Sequence, residues 1–185
     1  MCGTDLDDRH RHLVALDDRA LRCVCRACGL LFDPAGAGGG RIRAVPERYL
    51  TDPAHPMAGE DWDLLGIPAM PVFAFLNSDL NRVVACYPSP AGTTESMLDL
   101  DGWTRLQQMY PLLRMPTADV EAIYVADGGG LLETFLVPID ACFTMAGMVR
   151  LHWRGPDGGD AVRRATATFL DGLRARSRPV RPAEA

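Results

Sequence analysis

Apolar residues in this chain come in short clusters separated by turn-formers, and their spacing follows the two-residue alternation of strands more often than the rhythm of helices. HLVAL (12–16) and ALRCVC (20–25) are strand-like runs on either side of Asp17-Asp18-Arg19, which predicts a small hairpin. PAMPVFAFLN (68–77), the turn SDLN and RVVACYP (82–88) predict a second antiparallel hairpin, buried on at least one face. DVEAIYVA (119–126), the DGGG turn (127–130) and LLETFLVP (131–138) predict a third.

Helical spacing is confined to three places. A short helix over 101–110 puts Trp103, Leu106 and Tyr110 on one side. Asp140 is positioned to cap a helix running towards Trp153, with Gly147 weakening it by about 1 kcal/mol relative to Ala. The last helix, over 160–176, aligns Val162, Ala165, Thr166, Phe169, Leu170 and Leu173, and its Arg-rich end suits the negative pole of the helix dipole. Between these lie a loop-rich stretch (41–67) packed by Tyr49 and Trp62, a turn-dense loop YPSPAGTTES (87–96) and the loop WRGPDGG (153–159). The expected fold class is therefore α+β: an antiparallel sheet of two hairpins with two or three helices, preceded by a small zinc-ribbon or rubredoxin-like module. The Gly-rich PAGAGGG (34–40) marks the boundary, giving a module over 1–33, an α+β domain over 41–177 and a frayed tail over 178–185.

Composition narrows the function classes. Apolar residues make up 48% and charged residues 23%, the range of a soluble globular protein. No apolar run approaches the roughly 20 residues of a membrane-spanning helix. The start, MCGTDLDDRHRH, has no apolar core of a secretory signal, so a cytoplasmic location is expected. All 19 basic residues are Arg, and the net charge of −5 offers no general attraction to phosphate backbones; nucleic acid is not an expected partner.

Six cysteines in such a chain read as metal ligands or buried thiols before disulfides. Cys86 and Cys142 lie inside apolar runs and are expected in the core. Cys25-Arg-Ala-Cys28-Gly29 is a C-x-x-C-G knuckle, whose spacing lets both thiolates face one ion while the glycine takes the backbone turn behind the second sulfur. Cys2-Gly3 is a second, incomplete knuckle across the predicted hairpin. Cys2, Cys25 and Cys28 thus make three ligands. The fourth is His10, His12, Cys23, or a cysteine encoded upstream of Met1; a degenerate site is the remaining alternative. His10 and His12 share a strand face, as do Cys23 and Cys25, so one member of each pair suffices. Sulfur and nitrogen ligands favour structural zinc, with iron as the alternative for thiolates alone.

Outside the module no catalytic set stands out. Asp119 and Glu121 fall on one face of a predicted strand, and Glu95 is placed to reach Arg150 or Arg154. An enzyme built on Glu95, Asp119, Glu121 or Asp140 in a cleft near those arginines is the alternative class, and a pure interaction module with an exposed apolar patch is a third.

HRHLVALDDRALRCVCRACGLLF, YPSPAGTTES, DVEAIYV, LVPIDACF and VRLHWRGPDGG, in this order, resemble a family of uncharacterised proteins of GC-rich bacteria encoded near high-affinity, hydrogen-scavenging [NiFe]-hydrogenase genes. The resemblance covers nearly the whole chain. It implies that members begin with C-x-x-C-G, which maps onto Cys2-Gly3 with the first cysteine absent and points to a truncated start. It also implies a metal-binding accessory protein of hydrogenase assembly or function, with a hydrogenase subunit or maturation factor as partner.

Overall fold

The computed structural model describes residues 2–34, 36–67, 69–155 and 158–181. The predicted hairpins are all present. β1 (Arg11–Ala15) and β2 (Ala20–Val24) pair antiparallel, with His12 opposite Cys23 and Leu13 opposite Arg22. The turn between them is held by Asp18, which accepts from Ala20 N–H at 3.1 Å and pairs with Arg22, while Arg19 takes the left-handed conformation at φ 53°. A short helix, α1 (Arg26–Leu31), follows β2 directly. Gly36, Gly38, Gly39 and Gly40 then adopt positive φ and turn the chain back, so that β3 (Ile42–Ala44) pairs with β1. The three-stranded sheet, ordered β2-β1-β3, therefore draws its third strand from beyond the Gly-rich stretch.

The loop-rich stretch contributes more order than its prolines suggest. β4 (Leu50–Thr51), β5 (Met57–Ala58) and α2 (Gly59–Asp63) lie within it, and Trp62 is fully buried. The main sheet is completed by β6 (Val72–Asn77), β7 (Arg82–Ser89), β8 (Gly92–Ser96), β9 (Glu121–Asp127), β10 (Leu131–Pro138) and β11 (Arg178–Pro179). α3 (Leu100–Met109), α4 (Ile139–His152) and α5 (Gly159–Arg176) complete the helices. The strand order is β11-β4-β10-β9-β6-β7-β8, with β5 also on β10; the pairs are antiparallel except β11 on β4.

Three sequence expectations change. YPSPAGTTES is a hairpin rather than a loop: Ser89 and Gly92 close β7 onto β8, and Ser89 and Thr94 hydroxyls bond at 2.9 Å. Arg178–Pro179 is a sheet edge strand rather than frayed, whereas residues 182–185 of the expected tail lie outside the described residues. Asp140 does not cap α4. Pro138 occupies the cap position without a side-chain bond, and Asp140 sits inside the first turn.

The main sheet is buried on both faces. Along β9, Ala122, Tyr124 and Ala126 point into one apolar layer and Ile123 and Val125 into the other, as the two-residue period demands. The first layer packs Phe73, Phe135 and Val137 against α4 (Cys142, Met145, Val149) and α5 (Phe169, Leu170, Leu173). The second packs Val72, Ala74 and Leu136 against Trp62, Trp103, Leu106 and Tyr110. Coverage of both faces is why the strands read as nearly unbroken apolar runs. α5 is further fixed by Arg174, which grips Glu133 on β10 and Asp171, and by Arg176, whose guanidinium lies 4.4 Å from the centre of the Tyr49 ring.

The small sheet shares this core. Leu13 turns to a minor cluster with Val24 and Cys28, while Val14, one residue on, enters the first layer of the main core beside Val45.

Candidate metal centre

Cys25 ends the hairpin and begins α1. Its backbone is extended (φ −65°, ψ 162°), its carbonyl accepts from Gly29 N–H at 2.9 Å, and its sulfur accepts from Cys28 N–H at 3.5 Å. One helical turn thus brings Cys28 back beneath Cys25. The N-terminal strap then lays Cys2 across both, with Cys2 Sγ 3.5 Å from Cys25 Sγ and 3.5 Å from Cys28 Sγ. A tetrahedral zinc with Zn–S bonds of about 2.3 Å requires sulfurs roughly 3.8 Å apart, so this spacing fits one shared ion. Cys2 is exposed, Cys25 half-buried and Cys28 buried, so the group opens to solvent on the Cys2 side.

Electrostatics distinguish the thiols. Hydrogen bonds from the Thr4 backbone, and then from the Cys25 and Cys28 thiols, lower the Cys2 thiol from 9.0 to about 7, so a thiolate is available near neutrality. Cys28 is shifted up: a backbone bond from Cys2 favours its thiolate, but the Cys2 and Cys25 thiols and burial together outweigh it. The core cysteines behave as the sequence predicts. Burial pushes Cys86 up to about 12 and Cys142 well above the usual range, leaving both as inert packing groups.

Gly29 has a different reason from the one its motif suggests. It lies within α1 at an ordinary helical φ, and an added Cβ would stand 2.8 Å from both Cβ and Cγ of Arg11. The glycine lets α1 approach β1 closely, and so sets the height of Cys28 over the small sheet.

His10, His12 and Cys23 do not join this group. They form a second set of three, with one ligating atom of each within 4.8 Å of the others; the same limit holds for Cys2, Cys25 and Cys28. The two imidazoles meet edge to face, with ring centres 4.8 Å apart and an interplanar angle of 79°.

The carboxylates considered for acid–base chemistry are spent on separate structural contacts. Glu95 pairs with Arg82 at 3.0 Å across the β7–β8 hairpin rather than with Arg150 or Arg154. Asp119 precedes the strand in a left-handed conformation (φ 67°) and binds Arg43 and Ser78 N–H, each at 2.9 Å. It therefore shares no strand face with Glu121. Glu121 is 0% exposed and takes a two-pronged bond from Arg48, at 2.8 and 2.6 Å, plus one from Thr117 N–H at 2.9 Å. Asp140 accepts from His12 Nδ1 at 2.6 Å. A cavity of about 530 Å³ between β3 and residues 117–120 is lined by Phe32, Ile42, Arg43 and Val120, and by none of these four acids.

Fold and site together define a layered α+β protein that carries a cysteine-rich sheet with metal-binding geometry on one flank. Among the described residues no helix is long and apolar enough to cross a membrane. The chain belongs to a family of unknown function (DUF5947), which matches residues 1–177. No curated protein and no solved structure matches it.

Proposed function

We propose that this chain is a metal-binding accessory protein in which Cys2, Cys25 and Cys28 hold a structural zinc ion, and that it serves [NiFe]-hydrogenase assembly or function in the cytoplasm. The observation that carries the metal reading is the convergence of Cys2 on the Cys25–Cys28 pair from more than twenty residues away in the chain, at sulfur spacings suited to one tetrahedral ion. Zinc completes its coordination with one ligand from outside this group. The small sheet's own cluster has Leu13, Val24 and Cys28 as its buried members, so a bound ion adds a cross-link to a sheet otherwise tied to the main core through Val14. The hydrogenase context is supported by the resemblance of five ordered segments to proteins encoded beside such genes, and it names a hydrogenase subunit or maturation factor as partner.

Two measurements test the two halves. Protein expressed in zinc- and iron-containing medium is assayed for both metals and its visible spectrum recorded. Bound zinc without colour is expected; a coloured iron protein overturns the zinc assignment, and a folded metal-free protein overturns the site. Deleting the gene is expected to impair hydrogen uptake or large-subunit processing; unchanged values for both overturn the accessory role.

A further inference from the structure

We propose that His10, His12 and Cys23 form a second, separate metal site: an open His₂Cys site for an exchangeable borderline divalent cation such as Zn²⁺, Co²⁺ or Ni²⁺. The strand pairing builds it. His12 and Cys23 are direct cross-strand partners, a relation that holds their Cβ atoms about 5 Å apart. His10 stands two residues before His12, so both rings leave the same side of the chain. One ring nitrogen of each histidine and the Cys23 sulfur lie within 4.8 Å of one another.

Both rings are tied down at one nitrogen. His10 Nδ1 is 2.9 Å from the carbonyl oxygen of Asp7, and His12 Nδ1 is 2.6 Å from Asp140 Oδ2. Neither a carbonyl nor a carboxylate oxygen has a hydrogen to give, so Nδ1 is the donor in both rings. With Nδ1 bonded in this way, Nε2 is the ring nitrogen left to a metal ion in both residues. Metal-bound histidines are oriented in this way, one nitrogen tied to a carbonyl or carboxylate and the other on the ion. Two rings fixed alike beside an unpaired thiol are unexpected for a solvated hairpin edge.

Exposure sets the character of the site. Cys23 is exposed and both histidines are half-buried, so three protein ligands leave at least one position to water or to an incoming group. Mixed imidazole and thiolate donors suit borderline cations over Mg²⁺ or Ca²⁺. Binding releases the thiol proton of Cys23 to solvent and forms one metal–sulfur and two metal–nitrogen bonds, with no change of oxidation state.

The test is an anaerobic titration of the metal-free, reduced full chain with Co²⁺, whose charge-transfer and d–d bands report thiolate number. Two equivalents are expected in the unaltered protein, one with the strong band of several thiolates and one with that of a single thiolate. Cys23→Ser and His12→Gln each remove only the single-thiolate equivalent; Cys25→Ser removes only the other. Asp140→Asn keeps both equivalents but weakens the single-thiolate one by about 10- to 100-fold. A single equivalent lost equally in Cys23→Ser and Cys25→Ser means one shared ion and overturns the proposal. Loss of only the many-thiolate equivalent would instead sink the cysteine-trio zinc and leave this site standing. A readout without any substitution guards against misfolded variants: ¹⁵N imidazole spectra on zinc addition are expected to show Nε2 of both His10 and His12 as the ligating nitrogen. Unperturbed Nε2 signals at saturating zinc overturn the site.

Discussion

The two sheets are held by different means. On each side of the eight-stranded sheet lies a continuous apolar layer, closed by α4 and α5 on one face and by α2 and α3 on the other. Under the three-stranded sheet, burial of Leu13, Val24 and Cys28 is supplemented by two clusters of thiol and imidazole groups at its edge. The large sheet is held by apolar burial, at about 25 cal/mol per Å² removed from water, whereas the small one gathers thiol and imidazole groups at its edge and shares Val14 with the larger core. Perturbing the core and perturbing the cysteine and histidine clusters should therefore be felt in different sheets.

The largest effect is expected in the large sheet. Arg48→Ala leaves the carboxylate of Glu121, with 0% of its surface exposed, without its two-pronged partner. A loss of about 3–5 kcal/mol in urea denaturation is expected, with the number of bound metal ions unchanged. A loss below 1 kcal/mol would show that the pair is not a strut of the core. Metal removal is the reciprocal perturbation. At free zinc one hundred times the dissociation constant, binding supports the small sheet by about 2.7 kcal/mol. Chelation should therefore cut hydrogen-exchange protection of β1 and β2 amides by about 100-fold and leave β9 and β10 protected. Equal loss in both sheets would erase the distinction between them.

A smaller effect follows from Gly29→Ala. The added methyl group meets the Arg11 stem at 2.8 Å, and overpacking of this kind costs about 1–3 kcal/mol. It should appear as weaker zinc binding at the cysteine trio, with the melting of the large sheet unmoved. The smallest is a titration. Cys2 falls from 9.0 to about 7 in the folded chain, so the stability it contributes to the metal-free state is present in full above about 9 and is lost as pH falls through 7. Alkylation of metal-free protein should accordingly label Cys2 with a midpoint near pH 7, while Cys86 and Cys142 stay unlabelled until unfolding. A Cys2 midpoint near 9 would show that the strap is not seated on the knuckle.

Much of this architecture was legible in the residues, for identifiable reasons. Turn-flanked alternation marks β6–β7 and β9–β10, because strand period and hairpin punctuation are local properties. The β7–β8 hairpin was missed because two prolines and a serine dominate its first half; the paired Thr93 and Thr94 were the strand signal within it. Coverage of the sheet's second face was not legible, since it depends on Trp62 and Trp103 arriving from distant segments. Nor was the Arg48–Glu121 pair, whose members are 73 residues apart. At the candidate site, the C-x-x-C spacing foretold Cys25 and Cys28, and the hairpin foretold the nearness of Cys2. The division of the six candidate residues into two groups was not foretold. It arises because Cys25 is turned into α1, where its sulfur meets the Cys28 N–H, while Cys23 stays in the ladder facing His12.

One consequence belongs to β1. Leu13 and Val14 are successive residues, and they are buried in different cores. The strand is a party wall between two dwellings. The cysteine-rich segment is consequently not a portable cassette: excising it would unroof the α4–α5 side of the large sheet where Val14 is seated, and grafting it elsewhere would carry an apolar underside with nothing to lie on. Insertions and deletions in this family should therefore collect at the tips of the β1–β2 and β9–β10 turns, where the chain can change length without moving that wall.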